Sequence, residues 1–130
     1  MIGLFWNCRG VSKKVMSTFL KELLLEHQAD FVGLQETSKR KYDDSFFRKV
    51  DPAKNFIWHW LPAKGRSGGM LCGVRVDRFE VLDWNLRQYS ICTTVLDKKK
   101  LKKKVHLMMT IKKSSRLNFL RFAQTRVTLH

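Results

Sequence analysis

Two polar residues, Asn7 and Glu36, have the residue types and the sequence positions to form a catalytic or metal-binding site. Asn7 ends the short apolar run at residues 2–7, and Glu36 lies near the end of a second apolar run, at residues 31–37. A carboxylate can hold Mg²⁺, which takes its other ligands from water and phosphate. An amide beside it can orient a phosphate or a catalytic side chain. A carboxylate at a strand end is also common as a solvated loop residue, so the residue types alone leave both interpretations open.

A strand, a helix and a strand within about 35 residues would bring these two side chains together. The run at residues 2–7 predicts a buried strand, and Gly10 allows the turn that follows it. The apolar residues after Ser12, a residue type that caps helices, recur at the spacing of one helix face: they are Met16, Phe19, Leu20, Leu23 and Leu24. The run at residues 31–37 predicts a second strand, parallel to the first. Because a right-handed crossover places the ends of both strands at one edge, Asn7 and Glu36 should be neighbours.

Beyond Glu36 the sequence predicts a charged loop at residues 38–44 and a short helical turn at 45–50. Residues 55–61, 70–76 and 79–84 have the pattern of strands. We expect these three runs to form an antiparallel meander, with a hairpin at Asp77-Arg78 joining the last two. The predicted fold class is therefore α/β, with a mixed sheet and a βαβ opening.

The net charge of +15 is divided unevenly along the chain. Residues 1–96 contain 15 basic and 10 acidic residues, whereas residues 97–130 contain 11 basic and 1 acidic residue. The run KKKLKKK at residues 98–104 is typical of a nucleic-acid or nuclear-localisation patch, and it is also common as a solvated segment without function. As a patch it would contact phosphates through Lys98, Lys99, Lys100, Lys102, Lys103 and Lys104.

The composition excludes other classes of protein. A chain with 44% hydrophobic residues is not a disordered basic tail throughout, and no apolar window reaches the roughly 18 residues of a membrane span. The N-terminus lacks the pattern of a targeting peptide. Cys8, Cys72 and Cys92 are widely spaced, which predicts free thiols rather than a zinc site. We therefore expect an intracellular protein, and a nuclear one if the lysine run is a localisation signal.

Three short motifs resemble the opening of the endonuclease/exonuclease/phosphatase family. They are Trp6-Asn7-Cys8-Arg9-Gly10, Leu34-Gln35-Glu36-Thr37 and Ser67-Gly68-Gly69-Met70. The first two are similar to the WN-x-x-G and QET signatures of AP-endonuclease-like enzymes. The stretch to about residue 95 is most similar to the endonuclease domain of plant LINE-type (non-LTR) retrotransposons.

The resemblance implies the N-terminal part of a four-layer α/β sandwich over residues 1–95. It also implies a Mg²⁺ or Mn²⁺ cofactor and DNA as the partner. By the same resemblance, Glu36 binds the metal ion and Asn7 helps to organise the site.

Other catalytic motifs of the family are missing from this sequence. Its Gly-Asp-x-Asn motif and its terminal Asp-His pair have no counterpart; Asp83-Trp84-Asn85 imitates the first, but it follows Leu82 instead of glycine. None of the four histidines, His27, His59, His106 and His130, is predicted to be catalytic. We therefore expect a truncated, inactive relative of a Mg-dependent DNA endonuclease, and whether the chain is an enzyme stays open. The alternative is a small non-catalytic nucleic-acid binder that uses the lysine run and exposed aromatic residues such as Trp58 and Trp60.

Residues 96–130 are predicted to be a basic tail unrelated to the first segment. The codons for Met108-Met109-Thr110 contain GAT or GAC when they are read from the third base. That frame would give an Asp-Asp stretch similar to one found in the plant elements. Our hypothesis is that residues from about 98 onward are a frameshifted reading, which the coding DNA tests: another frame there should continue the endonuclease sequence.

Overall fold

The computed structural model describes residues 3–7, 14–64, 68–86, 90–100, 103–110 and 121–122. Within these residues the helices and strands follow in the order β1 (Gly3–Asn7), α1 (Lys14–His27), β2 (Phe31–Gln35), α2 (Asp44–Val50), β3 (Phe56–Leu61), β4 (Met70–Arg75), β5 (Phe79–Leu86), β6 (Ser90–Asp97), β7 (Lys103–Thr110) and β8 (Arg121–Phe122). The predicted turn at Gly10 and cap at Ser12 lie outside the described residues. No helix in the described ranges is long and apolar enough to cross a membrane.

The strands form two sheets. The first has the order β3-β4-β2-β1-β8, and the second has the order β5-β6-β7. In the first sheet β1 and β2 are parallel, while β4 runs antiparallel to both β2 and β3. The prediction of an α/β fold with a mixed sheet and a βαβ opening is therefore confirmed.

The first sheet has a core on each face, and its strands direct successive side chains to the two cores in turn. Leu4 and Trp6 of β1 pack against the helices, whereas Phe5 faces the second sheet. The cluster on the helix side combines the apolar face of α1 with aromatic residues of α2 and β3: its buried members include Leu20, Leu23, Leu24, Val32, Leu34, Tyr42, Phe46, Phe56 and Leu71. Helices, first sheet and second sheet thus form three layers, as part of an α/β sandwich requires.

The prediction of a hairpin at Asp77-Arg78 is wrong. Strand β4 already has β2 on one side and β3 on the other, so neither of its edges is available to β5. After Arg78 the chain instead crosses to the second layer, where Phe79 is 1% exposed within the core between the sheets and β5 pairs with β6. The occupied edges of β4 and the burial of this ring, rather than the turn sequence, place β5 in the second sheet.

The basic segment begins as part of the second sheet. Strand β7 pairs with β6 in an unbroken antiparallel register from Ser90–Thr110 to Asp97–Lys103, and it buries Val105 and Leu107 in the core between the sheets. The predicted boundary at residue 96 therefore falls within β6, inside a hairpin. That residues 96–130 are unrelated to the first segment stays a prediction.

The short helix α2 confirms the predicted helical turn and fixes the tryptophans of β3. Asp43 caps its first turn, its carboxylate accepting a hydrogen bond from the amide of Phe46 at 2.9 Å. Trp58 is half-buried, stacks on Phe47 and donates its indole N–H to Asp51 at 3.3 Å. The expectation that Trp58 and Trp60 are exposed is therefore wrong: both pack against the helix-side cluster.

Candidate active site

The ends of β1 and β2 lie side by side, as the sequence predicts. The parallel register pairs Asn7 with Gln35, so Glu36 is the first residue beyond the paired ends of the two strands. Neighbouring strands are about 4.8 Å apart, which places the backbones of Asn7 and Glu36 at the same edge of the first sheet. This is the C-terminal edge of parallel strands, where α/β folds bind ligands.

The backbone leaves the sheet sharply at Glu36. Glu36 has a φ of 54° and Ser38 a φ of 56°, in a region that residues other than glycine seldom occupy. Such conformations cost on the order of 1–3 kcal/mol and persist where surrounding contacts impose them. Here the contacts come from the third motif: the amide of Ser38 donates to the carbonyl of Gly68 at 2.8 Å, and the amide of Thr37 donates to the carbonyl of Gly69 at 3.4 Å.

Gly68 and Gly69 are both suited to this contact by their positive φ angles of 79° and 89°. Gly69 has a second constraint, because a Cβ atom at this position would overlap Oγ1 of Thr37. Thr37 is 0% exposed. Among the described residues its Oγ1 has no hydrogen-bond partner. The Gly-Gly turn therefore packs against the buried Thr37 side chain with no room for a Cβ atom at residue 69.

A short basic segment follows Glu36, and the sequence predicted it only as a charged loop. Arg40 and Lys41 are exposed, as is Lys64, whose preceding residue Ala63 donates its amide to the carbonyl of Lys39 at 3.0 Å. The ammonium of Lys39 itself lies 5.0 Å from the ring centre of Phe46. The sequence does indicate cations near Glu36, because the run SKRK directly follows the Gln-Glu-Thr motif.

Glu36 brings a carboxylate to this edge of the first sheet, one residue beyond the end of β2. In the described part of the chain, no group of three or more His, Cys, Asp or Glu side chains could hold a metal ion. Mg²⁺ is commonly bound through one or two carboxylates, with water and substrate phosphate completing its shell. The chemistry of Glu36 therefore fits Mg²⁺ or Mn²⁺ as a partly hydrated ion, and its role as ligand stays a prediction.

The structure gives the other polar candidates structural positions. His59 of β3 packs against Trp84 of β5, with ring centres 3.7 Å apart, and burial lowers its pKa. Asp83 and Asn85 lie exposed on β5, with Trp84 turned inward between them. Among the predicted free thiols, Cys72 is buried, which raises its pKa to about 12, and Cys92 is partly buried. Cys8 lies outside the described residues.

The remaining histidines in the described ranges also have local partners. His27 is the last residue of α1, 3.9 Å from the carboxylate of Glu26. His106 of β7 contacts the hydroxyl of Thr94 at 3.1 Å. Neither contact indicates a catalytic role.

The predicted phosphate-binding lysines lie elsewhere. Lys98, Lys99 and Lys100 form the turn between β6 and β7, and Lys103 and Lys104 begin β7. All five are exposed, and Lys102 lies outside the described residues.

The sequence model of the endonuclease/exonuclease/phosphatase family matches residues 4–104. No curated protein matches the chain significantly in sequence. The fold is similar to the human Nocturnin catalytic domain with a bound sulfate anion, with a TM-score of 0.67 and 16% identity over 89% of this chain and 51% of that one.

Two further solved structures have the same fold. D. rerio TDP2 complexed with a single-strand DNA product has a TM-score of 0.60 at 17% identity, covering 89% of this chain and 47% of that one. The Xenopus laevis APE2 catalytic domain has a TM-score of 0.59 at 13% identity, covering 85% and 45%. The chain thus spans about half the length of the solved structures that it matches.

Proposed function

The chain belongs to the endonuclease/exonuclease/phosphatase family, and on that basis we propose that it carries the metal-binding corner of a DNA endonuclease of the plant LINE-type (non-LTR) retrotransposon kind. The observation that carries the proposal is the meeting of three motifs at one sheet edge. Asn7 and Gln35 are paired in register, and the loop after Glu36 is hydrogen-bonded to Gly68 and Gly69. Residues far apart in sequence thereby fix the backbone around Glu36.

DNA as the substrate is supported by charge and by relatives. Arg40, Lys41 and Lys64 are exposed cations beside the Glu36 loop, where they can contact backbone phosphates without reading the base sequence. One structural neighbour is a TDP2 complexed with a single-strand DNA product, and another is a catalytic domain of APE2. The retrotransposon assignment rests on the similarity of residues 1–95 to the plant elements.

The residues of this chain would bind and orient the reacting phosphodiester. Members of the family generally depend on a divalent metal ion, and Mg²⁺ or Mn²⁺ bound here would neutralise charge on the phosphate and acidify a bound water. Glu36 would hold the ion, with its backbone conformation imposed by the Gly-Gly turn. Asn7 would orient the phosphate, and the neighbouring cations would fix the strand on either side of it.

We further propose that these 130 residues alone do not hydrolyse DNA. Phosphodiester cleavage also needs a group that activates water and a group that stabilises the leaving oxygen. The sequence has neither the Gly-Asp-x-Asn nor the Asp-His motif that supplies these groups in the family. The expected behaviour is metal binding without catalysis.

The test separates metal binding from catalysis. Mn²⁺ binding is measured by electron paramagnetic resonance for the wild type, for Glu36→Gln and for Glu22→Gln, a control that removes the same charge from the exposed face of α1. We expect Glu36→Gln to weaken binding at least tenfold and the control to leave it unchanged. Equal Mn²⁺ affinity in all three proteins would contradict the metal site.

Nicking of supercoiled plasmid in Mg²⁺ tests the second half of the proposal. We expect no nicking above that of a mock purification from any of the three proteins. Robust nicking by the wild type that disappears in Glu36→Gln would confirm the site but overturn the proposed lack of activity.

The alternative function, a small non-catalytic nucleic-acid binder, is favoured by the exposed lysines of the β6–β7 hairpin. Trp58 and Trp60 do not support this alternative, because their rings are partly buried and pack against the helix-side cluster. The two functions differ in the residues they need: the first needs Glu36, and the second needs the lysines.

A further inference from the structure

The described lysines of the lysine-rich run lie at the tip of a folded hairpin: Lys98, Lys99 and Lys100 follow β6, and Lys103 and Lys104 begin β7. Strands β6 and β7 remain in register up to the pair Asp97–Lys103, so the lysines beside this pair adjoin two regular strands. The amide of Lys103 donates to the carbonyl of Lys100 at 3.1 Å, which closes the turn. The charge of this segment is therefore presented on a defined scaffold.

The buried carboxylate of Asp97 fixes the backbone of the tip. Its Oδ1 accepts hydrogen bonds from the amides of Lys99 and Lys100, at 3.0 and 3.3 Å. Its Oδ2 lies 3.7 Å from the guanidinium of Arg78, which also contacts Asp30 at 3.2 Å. Asp30 directly precedes β2, so this Asp30–Arg78–Asp97 bridge ties the hairpin to the first sheet.

Not all lysines of the hairpin are available to a partner. The ammonium of Lys98 donates to the carbonyl of Val76 at 2.8 Å, and the backbone amide of Lys98 donates to the carbonyl of Arg78. The side chains of Lys99, Lys100, Lys103 and Lys104 are exposed. Among the described residues no carboxylate forms an ion pair with these four.

The hairpin tip and Glu36 lie at opposite ends of the first sheet. Asp30 precedes the five residues of β2 and Glu36 follows them, and at about 3.3 Å per residue the two backbones are roughly 20 Å apart. Because the tip is anchored at the Asp30 end, a phosphate bound to its lysines is not the phosphate at the Glu36 edge.

We propose that the β6–β7 hairpin is a second nucleic-acid surface, which holds backbone phosphates through Lys99, Lys100, Lys103 and Lys104 independently of the Glu36 edge. Lysines act as point charges toward phosphate and read no base sequence. A membrane surface is the weaker match, because interfacial segments combine cations with a broad apolar and aromatic face, whereas six of the seven residues at 98–104 are lysines. The choice of nucleic acid as the polyanion rests on the proposed function, while the existence of the cationic surface does not.

The test measures binding of a fluorescent 20-base-pair duplex in EDTA at several salt concentrations. The main variant replaces Lys99, Lys100, Lys103 and Lys104 by glutamine. A matched pair compares Lys99→Gln/Lys100→Gln with Arg48→Gln/Lys49→Gln, which removes the same charge from the exposed face of α2. Thermal unfolding of each variant verifies that it is folded.

The binding constant K falls as the salt concentration rises, and each phosphate contact contributes about 0.9 to the steepness of log K against log salt. We expect the fourfold variant to reduce this steepness by about 3–4. The hairpin double variant should lower it by about 2 and weaken binding roughly tenfold at low salt, whereas the α2 double variant should change it little. An unchanged slope in the fourfold variant, or equal losses in the two double variants, would overturn the proposal.

Two choices in the experiment separate this surface from its alternatives. Because the duplex titration is made in EDTA, it does not depend on a metal ion at Glu36, so a failed metal site and a failed hairpin surface give different results. Vesicles containing phosphatidylserine test the membrane alternative: loss of vesicle binding with unchanged duplex binding in the fourfold variant would assign the lysines to a lipid surface and overturn the proposal.

Discussion

The two ends of β2 are built in opposite ways. At its start, the Asp30–Arg78–Asp97 bridge joins the two sheets through buried charges that pair with one another. At its end, Glu36 leaves the sheet with a positive φ, beside a Gly-Gly turn and a buried hydroxyl. Backbone strain tends to collect at functional sites, whereas paired charges between packed layers maintain the fold. The difference is that backbone strain lies at the Glu36 end, where the proposed metal site is, and paired charges between the two sheets lie at the Asp30 end.

Breaking the bridge should have the largest effect. Arg78→Met leaves two carboxylates buried near each other without a counterion, and removing one partner of a buried ion pair typically costs about 3–5 kcal/mol. Urea unfolding should show a loss of this order. Mn²⁺ affinity of the folded protein should be unchanged, because Glu36 lies at the other end of β2.

Arg78→Lys is the matched variant for this bridge, since it keeps the charge but loses the fork that reaches Asp30 and Asp97 together. We expect its unfolding free energy to lie between those of the wild type and Arg78→Met. A loss below about 1 kcal/mol in Arg78→Met, the size of an exposed ion pair, would show that the bridge does not hold the sheets together.

The Glu36 end can be disturbed through its glycine turn. Gly69→Ala introduces a Cβ that overlaps Oγ1 of Thr37 at a φ of 89°, whereas Gly68→Ala meets nothing within 4 Å at a φ of 79°. Both variants bear the cost of a positive φ, roughly 1–2 kcal/mol. Only Gly69→Ala should also shift the Glu36 loop and weaken Mn²⁺ binding. If the two alanines behave alike in both urea unfolding and Mn²⁺ titration, the close approach to Thr37 has no role in positioning Glu36.

Two buried threonines differ in whether their hydroxyls form a hydrogen bond. Thr93 donates its hydroxyl to the carbonyl of Asp83 at 3.1 Å, whereas Thr37 has no such partner among the described residues. Replacing a hydroxyl that makes a hydrogen bond costs about 1 kcal/mol, while replacing an unsatisfied one by a methyl group is nearly neutral or stabilising. Thr93→Val should therefore destabilise the protein in urea, and Thr37→Val should not. An equal loss in both variants would mean that the Thr37 hydroxyl is satisfied.

The sequence predicted the parts of this structure that depend on local pattern. The βαβ opening followed from the helical spacing in α1 and the two apolar runs beside it, and parallel crossover then placed Asn7 next to Gln35. The positive φ of Glu36 was not predictable, because it depends on the Gly68-Gly69 turn about thirty residues later in the chain. Local pattern also fails where tertiary packing decides which sheet a strand joins, as it does for β5, which begins at Phe79.

The lysine run also has a structure that its local sequence does not predict. Its composition is compatible with a solvated segment, and nothing local reveals that Asp97, the residue before it, is buried against Arg78. The fold turns a charge run into a hairpin because the apolar alternation of Val105 and Leu107 fits the core between the sheets. The change in composition at residue 97 therefore lies within this hairpin.

The smallest expected effect is a pH dependence carried by His59, which links the two sheets between their ends. Burial against Trp84 lowers its pKa in the folded protein below the usual 6.5. The unfolded chain therefore binds a proton more readily than the folded one, so the stability that this residue contributes is present above pH 6.5 and is lost as the pH falls below it. Urea unfolding at pH 7.5 and 5.0 should show a greater loss for the wild type than for His59→Gln, whose side chain cannot titrate. The same loss in both proteins would place the acid sensitivity elsewhere, whereas a smaller loss in His59→Gln would show that the contact between the sheets excludes a charged ring.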